Sequence, residues 1–284
     1  MINLFASRIK IHPLFWIVIA AGVLTGHFWE TAIAFFIVFV HECGHVLTAY
    51  WFGWTITEIE LLPFGGVAKI DPDEAHPFTE ETLVLLAGPF QHVWLPALSW
   101  LLIETHFWSL AQHQMFLNQN FALLFFNLLP IWPLDGGRLL HVYLEKSFPY
   151  KVAYDKMLFF SIIMLAMFCL IVFRFFPFSV NLWIMCCFIL FSLYKEKKAL
   201  SYRFLQFLLA LMQREKLGQR VKKIVVQPDM PVPAVFLRFY KNTDHWILIE
   251  GRKGKMIHDR LLISAYFSGK LRGKNVEDCR SLSE

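Results

Sequence analysis

The sequence predicts a mostly α-helical, polytopic membrane protein of about six transmembrane helices, with a membrane-proximal β-hairpin and a small C-terminal α/β domain. Three observations lead there. The 284 residues are 57% hydrophobic and only 17% charged, with 30 Phe and 10 Trp, a composition far from the soluble globular average. Several apolar runs reach the 17 to 25 residues (about 30 Å of helix) that a bilayer crossing needs. Charge is segregated: 19 of the 27 Lys and Arg lie from Lys195 onward with 9 of the 22 acids, so the tail is net +10 and the rest net −5. That break marks a boundary between a membrane domain and a solvated basic domain.

The runs are His12 to Phe28, Thr31 to Phe52, Thr82 to Ile103, Met157 to Phe176 and Val180 to Tyr194. A sixth, Met115 to Trp132, is interrupted by Asn118, Asn120, Asn127 and Pro130 and reads as a span that breaks near one end. Arg8 and Lys10 ahead of "LFWIVIAAGVLTG" give the first run a faint signal-peptide look, but the apolar segments that follow do not resemble a secreted domain, and a span is preferred. Six crossings place both termini on one side. With the N-terminus inside, the inner segments hold Arg8, Lys10, Lys69, Arg138, Lys146, Lys151, Lys156 and the whole tail, and the outer loops only Arg174. The excess of basic residues in cytoplasmic loops therefore makes both termini cytoplasmic. The five cysteines, without C-x-x-C spacing, read as thiols and not as a disulfide framework.

Between the second and third runs, "TITEIELLPFGGVAKIDPDEAHP" alternates apolar and polar residues on either side of Gly65 and Gly66, a hairpin signal with a Gly-Gly turn. An ordinary cytoplasmic hairpin is one reading. The other is a hairpin whose open edge receives an extended peptide by strand addition. The expected domains are a transmembrane domain over residues 1–194, a basic amphipathic linker helix over 195–220, and a cytoplasmic domain over 221–284. In the last, strand-like "KIVVQPDM" and "HWILIEG" alternate with helical "PAVFLRFYKN" and "DRLLISAYFSG", as in a small α/β module.

The chemistry is concentrated in "HECGH", residues 41 to 45, inside the second run. A charged side chain at the bilayer centre costs roughly 2.5 to 3.5 kcal/mol on insertion scales, so three ionisable groups there need compensating partners. His41 and His45 are four residues apart, offset by about 40° on one helical face, where two imidazoles can hold one zinc ion. Glu42 lies roughly 100° around from His41, beside the metal, where a general base can take a proton from an attacking water. Cys43 points away from the histidine face.

A catalytic zinc takes a third protein ligand. Asp135 is the candidate, in "NLLPIWPLDGGRLL", where Pro130, Pro133, Gly136 and Gly137 rule out regular helix. Such backbone at membrane depth lines a cavity or is buried in protein; a helix cap at the membrane surface is the alternative. Asn127 could hydrogen-bond substrate backbone or oxyanion, or equally cap the broken helix. Glu104 and His106 suit a solvated role; His92 could face the cavity, but a structural hydrogen bond is preferred. Rival classes are a metal-ion transporter, which would show several polar faces along a path, and a non-catalytic membrane receptor with a ligand-sensing tail, which has no need of Glu42.

"HECGH", "LLPFGG", "AGP" and "NLLPIWPLDGG", in that order, resemble the site-2 protease family of intramembrane zinc metalloproteases, and most closely its sporulation members in endospore-forming bacteria. The resemblance implies that His41, His45 and Asp135 bind Zn2+, that Glu42 is the general base and that Asn127 helps hold substrate. It further implies regulated intramembrane proteolysis of a membrane-associated precursor of the mother-cell sigma factor (pro-sigma-K), inhibitory membrane partner proteins, and residence in the mother-cell membrane surrounding the forespore. The tail from about Val221 resembles a single cystathionine-beta-synthase (CBS) domain, which implies a homo-oligomer paired through that domain and ATP bound between paired modules. His92 departs from the family, whose members often have Asn there. No nucleic-acid partner is expected.

Overall fold

The computed structural model describes residues 9–11, 19–20, 22–62, 65–70, 76–106, 108–213, 220–250, 256–271 and 273–278. Residues 12–18 and 21 of the first expected span fall outside them. The chain forms two packing units: residues 1–71, 78–130 and 134–139 make the first, and residues 72–77, 131–133 and 140–284 the second.

In the first unit, strand β1 (Ile9–Ile11) precedes helix α1 (Phe28–Trp51), strands β2 (Ile56–Leu62) and β3 (Gly65–Ile70), helices α2 (Phe78–Glu104) and α3 (Leu110–Asn127), and the first turn of α4 (Asp135–Ser147). A capping box starts α3, in which Ser109 and Gln112 satisfy each other's backbone amides, so two otherwise orphaned donors are paired. Ile33 and Ile37 from α1, Leu95 from α2 and Phe116 from α3 form one buried apolar cluster of this unit, and Ala49, Trp54 and Val84 another. Among the described residues, α1 and the later α5 are the helices both long and apolar enough to cross a membrane. Helix α2 carries Glu80, Glu81 and internal Pro89 and Pro96, and α3 is lined with Gln and Asn.

The hairpin is present, but its turn is not Gly-Gly. Leu62 pairs with Gly65 and Leu61 with Gly66, so both glycines open β3 and the link is made by residues 63 and 64. Strand β1 was not foreseen; it pairs in parallel with β2, Ile9 opposite Ile59 and Ile11 opposite Leu61. Since the order is β1-β2-β3, β2 is internal and β1 and β3 carry the two edges among the described residues; β3 runs beside α1.

The second unit contains most of α4, then α5 (Tyr150–Phe175), α6 (Val180–Gln213), β4 (Arg220–Val226), α7 (Val232–Phe236), β5 (Thr243–Ile249), β6 (Met256–His258) and α8 (Asp259–Phe267). Residues 195–213 of the expected linker continue the helix that starts at Val180, for with neither Gly nor Pro between residues 180 and 213, nothing ends α6 where the charge begins; residues 214–219 lie outside the described residues. Its last turns bury Leu208 and Leu211 against Ile224, Phe236, Ile247 and Leu262 of the C-terminal strands and helices. Strands β4 and β5 are parallel, β5 and β6 antiparallel.

One buried polar pair organises this module. The Tyr240 amide donates to His245 Nε2 at 2.9 Å, so Nδ1 carries the ring proton and donates to Asp259 Oδ2 at 2.9 Å, where the His245 amide also donates at 2.9 Å. Burial alone would raise the Asp259 pKa, but the ring and backbone hydrogen bonds of His245 outweigh it and hold it below the ordinary value. A depressed carboxylate pKa contributes stability above the unfolded value, about 3.9, and loses it as pH falls through the folded value. Asp259→Ala, which strands two buried donors, is expected to cost about 2 to 3 kcal/mol. Hydrogen exchange of the module should show this loss at pH 7 and a flatter acid limb than in the parent.

Candidate metal centre

The centre is built from three elements of the first unit. Helix α1 carries His41 and His45 one turn apart, both buried. Asp135 is the first residue of α4, also buried, and its negative charge sits at the positive end of that helix. Its Oδ2 turns to the histidines, 2.9 Å from His41 Nε2 and 3.1 Å from His45 Nε2. The two Nε2 atoms are 3.1 Å apart. Together the three residues form a group able to hold a metal ion. The spacing suits zinc, since two donors each 2.0 to 2.1 Å from a tetrahedral ion lie about 3.3 Å from one another.

Helix α2 supplies the wall behind the histidines through one stripe of residues at four-residue spacing. Val84 presents its carbonyl to His45 Nδ1 at 2.8 Å. A carbonyl only accepts, so that nitrogen carries the ring proton and Nε2 keeps its lone pair for the centre. Gly88, one turn on, lies flat against both rings: a Cβ there would overlap Nε2 and Cε1 of His45 and fall 2.8 Å from Cε1 of His41. On α1, a Cβ at Gly44 would lie 2.5 Å from the Ala87 carbonyl oxygen. These two glycines allow α1 and α2 to approach closely, as small residues do between membrane helices. His92, the next residue of the stripe, contacts His41 Nδ1 at 3.1 Å.

Glu42 is half-buried beside His41 on α1, outside the three-donor group, as is the half-buried Cys43. Asn127 closes α3 half-buried, where the chain turns toward Asp135. Glu104 and His106 are exposed. The histidine pair follows from helical spacing and the aspartate from the prolines and glycines around it, but nothing in the sequence reading gave Val84 or Gly88 a role. The four-residue interval from Gly88 to His92 was the available signal, for it puts a glycine and a histidine on one face of an apolar helix.

Comparison with known proteins accords with this geometry. The model of peptidase family M50 matches residues 30–112 and 104–172. Stage IV sporulation protein FB of Bacillus subtilis (strain 168) is 33% identical over 275 residues, 95% of each chain. The chain belongs to peptidase family M50, the site-2 protease family. It is a zinc metalloprotease. A second M50 relative, a zinc metalloprotease of Methanocaldococcus jannaschii, is 36% identical over 134 residues, 43% of this chain and 37% of that one. The solved site-2 protease from M. jannaschii superposes with a TM-score of 0.52 at 25% identity, covering 66% of this chain and 89% of that one.

Gly88→Ala tests the approach of the two helices. The added methyl has to displace both imidazoles, and a misplacement near 1 Å costs roughly 100-fold in rate. Elemental analysis should find zinc depleted in the purified variant, together with cleavage lowered by at least that factor.

Proposed function

We propose that this M50 protease hydrolyses a peptide bond of a membrane-associated precursor at or just inside the cytoplasmic face of the membrane, with His41, His45 and Asp135 as zinc ligands and Glu42 as general base. The observation that carries the reading is the convergence of two buried Nε2 atoms and one carboxylate oxygen within 3.1 Å of each other. His41, His45 and Asp135 would hold a zinc ion there, which would supply Lewis acidity toward an attacking water and the scissile carbonyl. Glu42 takes the proton from the water and returns it to the leaving amine. Asn127, at the turn that leads into Asp135, hydrogen-bonds the substrate backbone or the oxyanion formed on attack. A helical substrate has its carbonyls engaged and must be extended first; the open edge of β3, beside α1, can hold it by main-chain pairing.

The sporulation relative, alike over 95% of both chains, supports a sigma-factor precursor of the pro-sigma-K type as substrate, inhibitory membrane partners, and the mother-cell membrane as location. Six crossings with both termini cytoplasmic are supported by outward apolar side chains on long helices: Phe90, Val93 and Trp100 on α2, Phe121 and Phe125 on α3, Phe159 and Phe173 on α5, Leu190 and Phe191 on α6. The domain reading, 1–194 catalytic, 195–220 linker and 221–284 CBS-like, draws on the order β4-α7-β5-β6-α8 with its parallel and antiparallel pairs. Such a module pairs with a second copy of the chain. ATP between two such modules would be the ligand of that pair.

Co-expression of the full chain with membrane-tethered precursors should yield a shortened product that a zinc chelator abolishes. Glu42→Gln should retain zinc but lower cleavage by roughly 10²- to 10⁴-fold, whereas Asp135→Asn should lose zinc as well. Normal turnover by Glu42→Gln, or metal uptake into sealed vesicles without peptide cleavage, overturns the reading.

A further inference from the structure

Two wholly buried polar residues outside the ligand set, His92 on α2 and Asn120 on α3, continue the hydrogen bonding of His41 away from the centre. His41 Nδ1 lies 3.1 Å from His92 Nε2, and His92 Nδ1 lies 2.8 Å from Asn120 Oδ1. A row of imidazoles can carry its protons in either direction, and Asn120 decides which. Its Nδ2 donates to the His92 backbone carbonyl at 3.0 Å. A carbonyl only accepts, so the amide nitrogen must face it and Oδ1 must face the His92 ring. An amide oxygen also only accepts, hence His92 Nδ1 carries the proton. With Nδ1 of His92 donating to the Asn120 amide oxygen, Nε2 is the nitrogen of that ring left to accept. His41 Nδ1 is therefore the donor, and the His41 Nε2 lone pair is turned to Asp135 and His45.

We propose that His92 and Asn120 are positioning residues of the metal centre: the Asn120 amide sets the direction of a two-step relay that holds His41 in the tautomer able to bind metal. His45 reaches the same tautomer in one step from the Val84 carbonyl. Partners of this kind on the second nitrogen of a ligating histidine orient the ring and raise its basicity, and their loss commonly costs 10- to 100-fold in metal affinity. Three helices are thereby committed to one ring, with α1 carrying it, α2 accepting its proton and α3 setting the polarity. The inference rests on the metal-centre reading above.

The test uses the full chain in detergent micelles, with Zn2+ affinity measured by competition against a chromogenic chelator and the ligand field read from the visible spectrum of the Co2+ form. His92→Phe keeps the ring volume and removes the acceptor; it is expected to weaken Zn2+ binding 10- to 100-fold and to alter the Co2+ bands. Asn120→Leu should act in the same direction without touching the ligands. Asn120→Asp keeps an acceptor at the His92 Nδ1 position and should bind Zn2+ within about threefold of the parent, a rescue that a purely space-filling role does not give. Parent-like affinity and spectrum in His92→Phe, or equal losses in Asn120→Asp and Asn120→Leu, overturn the relay. Absence of tight Zn2+ binding by the parent chain overturns the metal-centre reading itself, so the two failures are distinguishable.

Discussion

The close approach of α1 and α2 is the constraint on which the rest of the site depends. In lipid, no hydrophobic gain draws helices together, and association comes from packing and interhelical hydrogen bonds. Gly44 lets the backbone of α2 reach α1, and Gly88 lets the histidine rings lie against α2. That contact brings the Val84 carbonyl within 2.8 Å of His45 and His92 within 3.1 Å of His41. Close packing and histidine orientation are one arrangement: a longer side chain at either glycine separates the helices and also strips both rings of their outer hydrogen bonds.

The part of the site carried on one helix was legible in the sequence because helical spacing is rigid. His41 and His45 must share a face whatever surrounds them, and proline and glycine on both sides of Asp135 confine it to a turn or a helix start. What depends on packing between helices was not legible. Spacing gives Val84, Gly88 and His92 a common face but not what that face meets, and Asn120 interrupts an apolar run without naming its partner. Strand β1 is three residues long and pairs with a segment some fifty residues away, too little alternation to register as a strand. The hairpin was visible while its turn was displaced, since composition locates glycines and cannot tell whether they lie in the link or in the strand pairs beside it. Charge segregation likewise suggested a break near residue 195, although charge does not end a helix and α6 runs through it.

Three buried carboxylates elsewhere among the described residues, Glu145, Glu196 and Asp259, are answered by the protein itself. Glu145 faces the Lys241 ammonium at 3.0 Å, Glu196 is held by Arg203 and the Tyr154 hydroxyl, and Asp259 receives the ring and amide protons of His245. Pairing of this kind offsets the cost of taking a charge out of water. Asp135 differs in facing two imidazoles, its Oδ2 2.9 Å from His41 Nε2 and 3.1 Å from His45 Nε2. Its partners are two imidazoles whose Nδ1 protons are turned outward, to the Val84 carbonyl and to His92, so the atoms nearest its Oδ2 present lone pairs.

Three lone-pair donors about 3 Å apart repel one another in any low-dielectric setting, and the repulsion is relieved only by positive charge among them. A proton can serve one pair of donors at a time, whereas a divalent ion serves all three and neutralises the carboxylate as well. The outer hydrogen bonds of the histidines thus have two effects. They orient the rings, and by withholding protons from the inward nitrogens they set the centre against its own metal-free form. Stability of the first unit and metal affinity then become the same quantity seen from two sides, and the helices that pack around His41 are held together in part by the ion that the packing was shaped to receive.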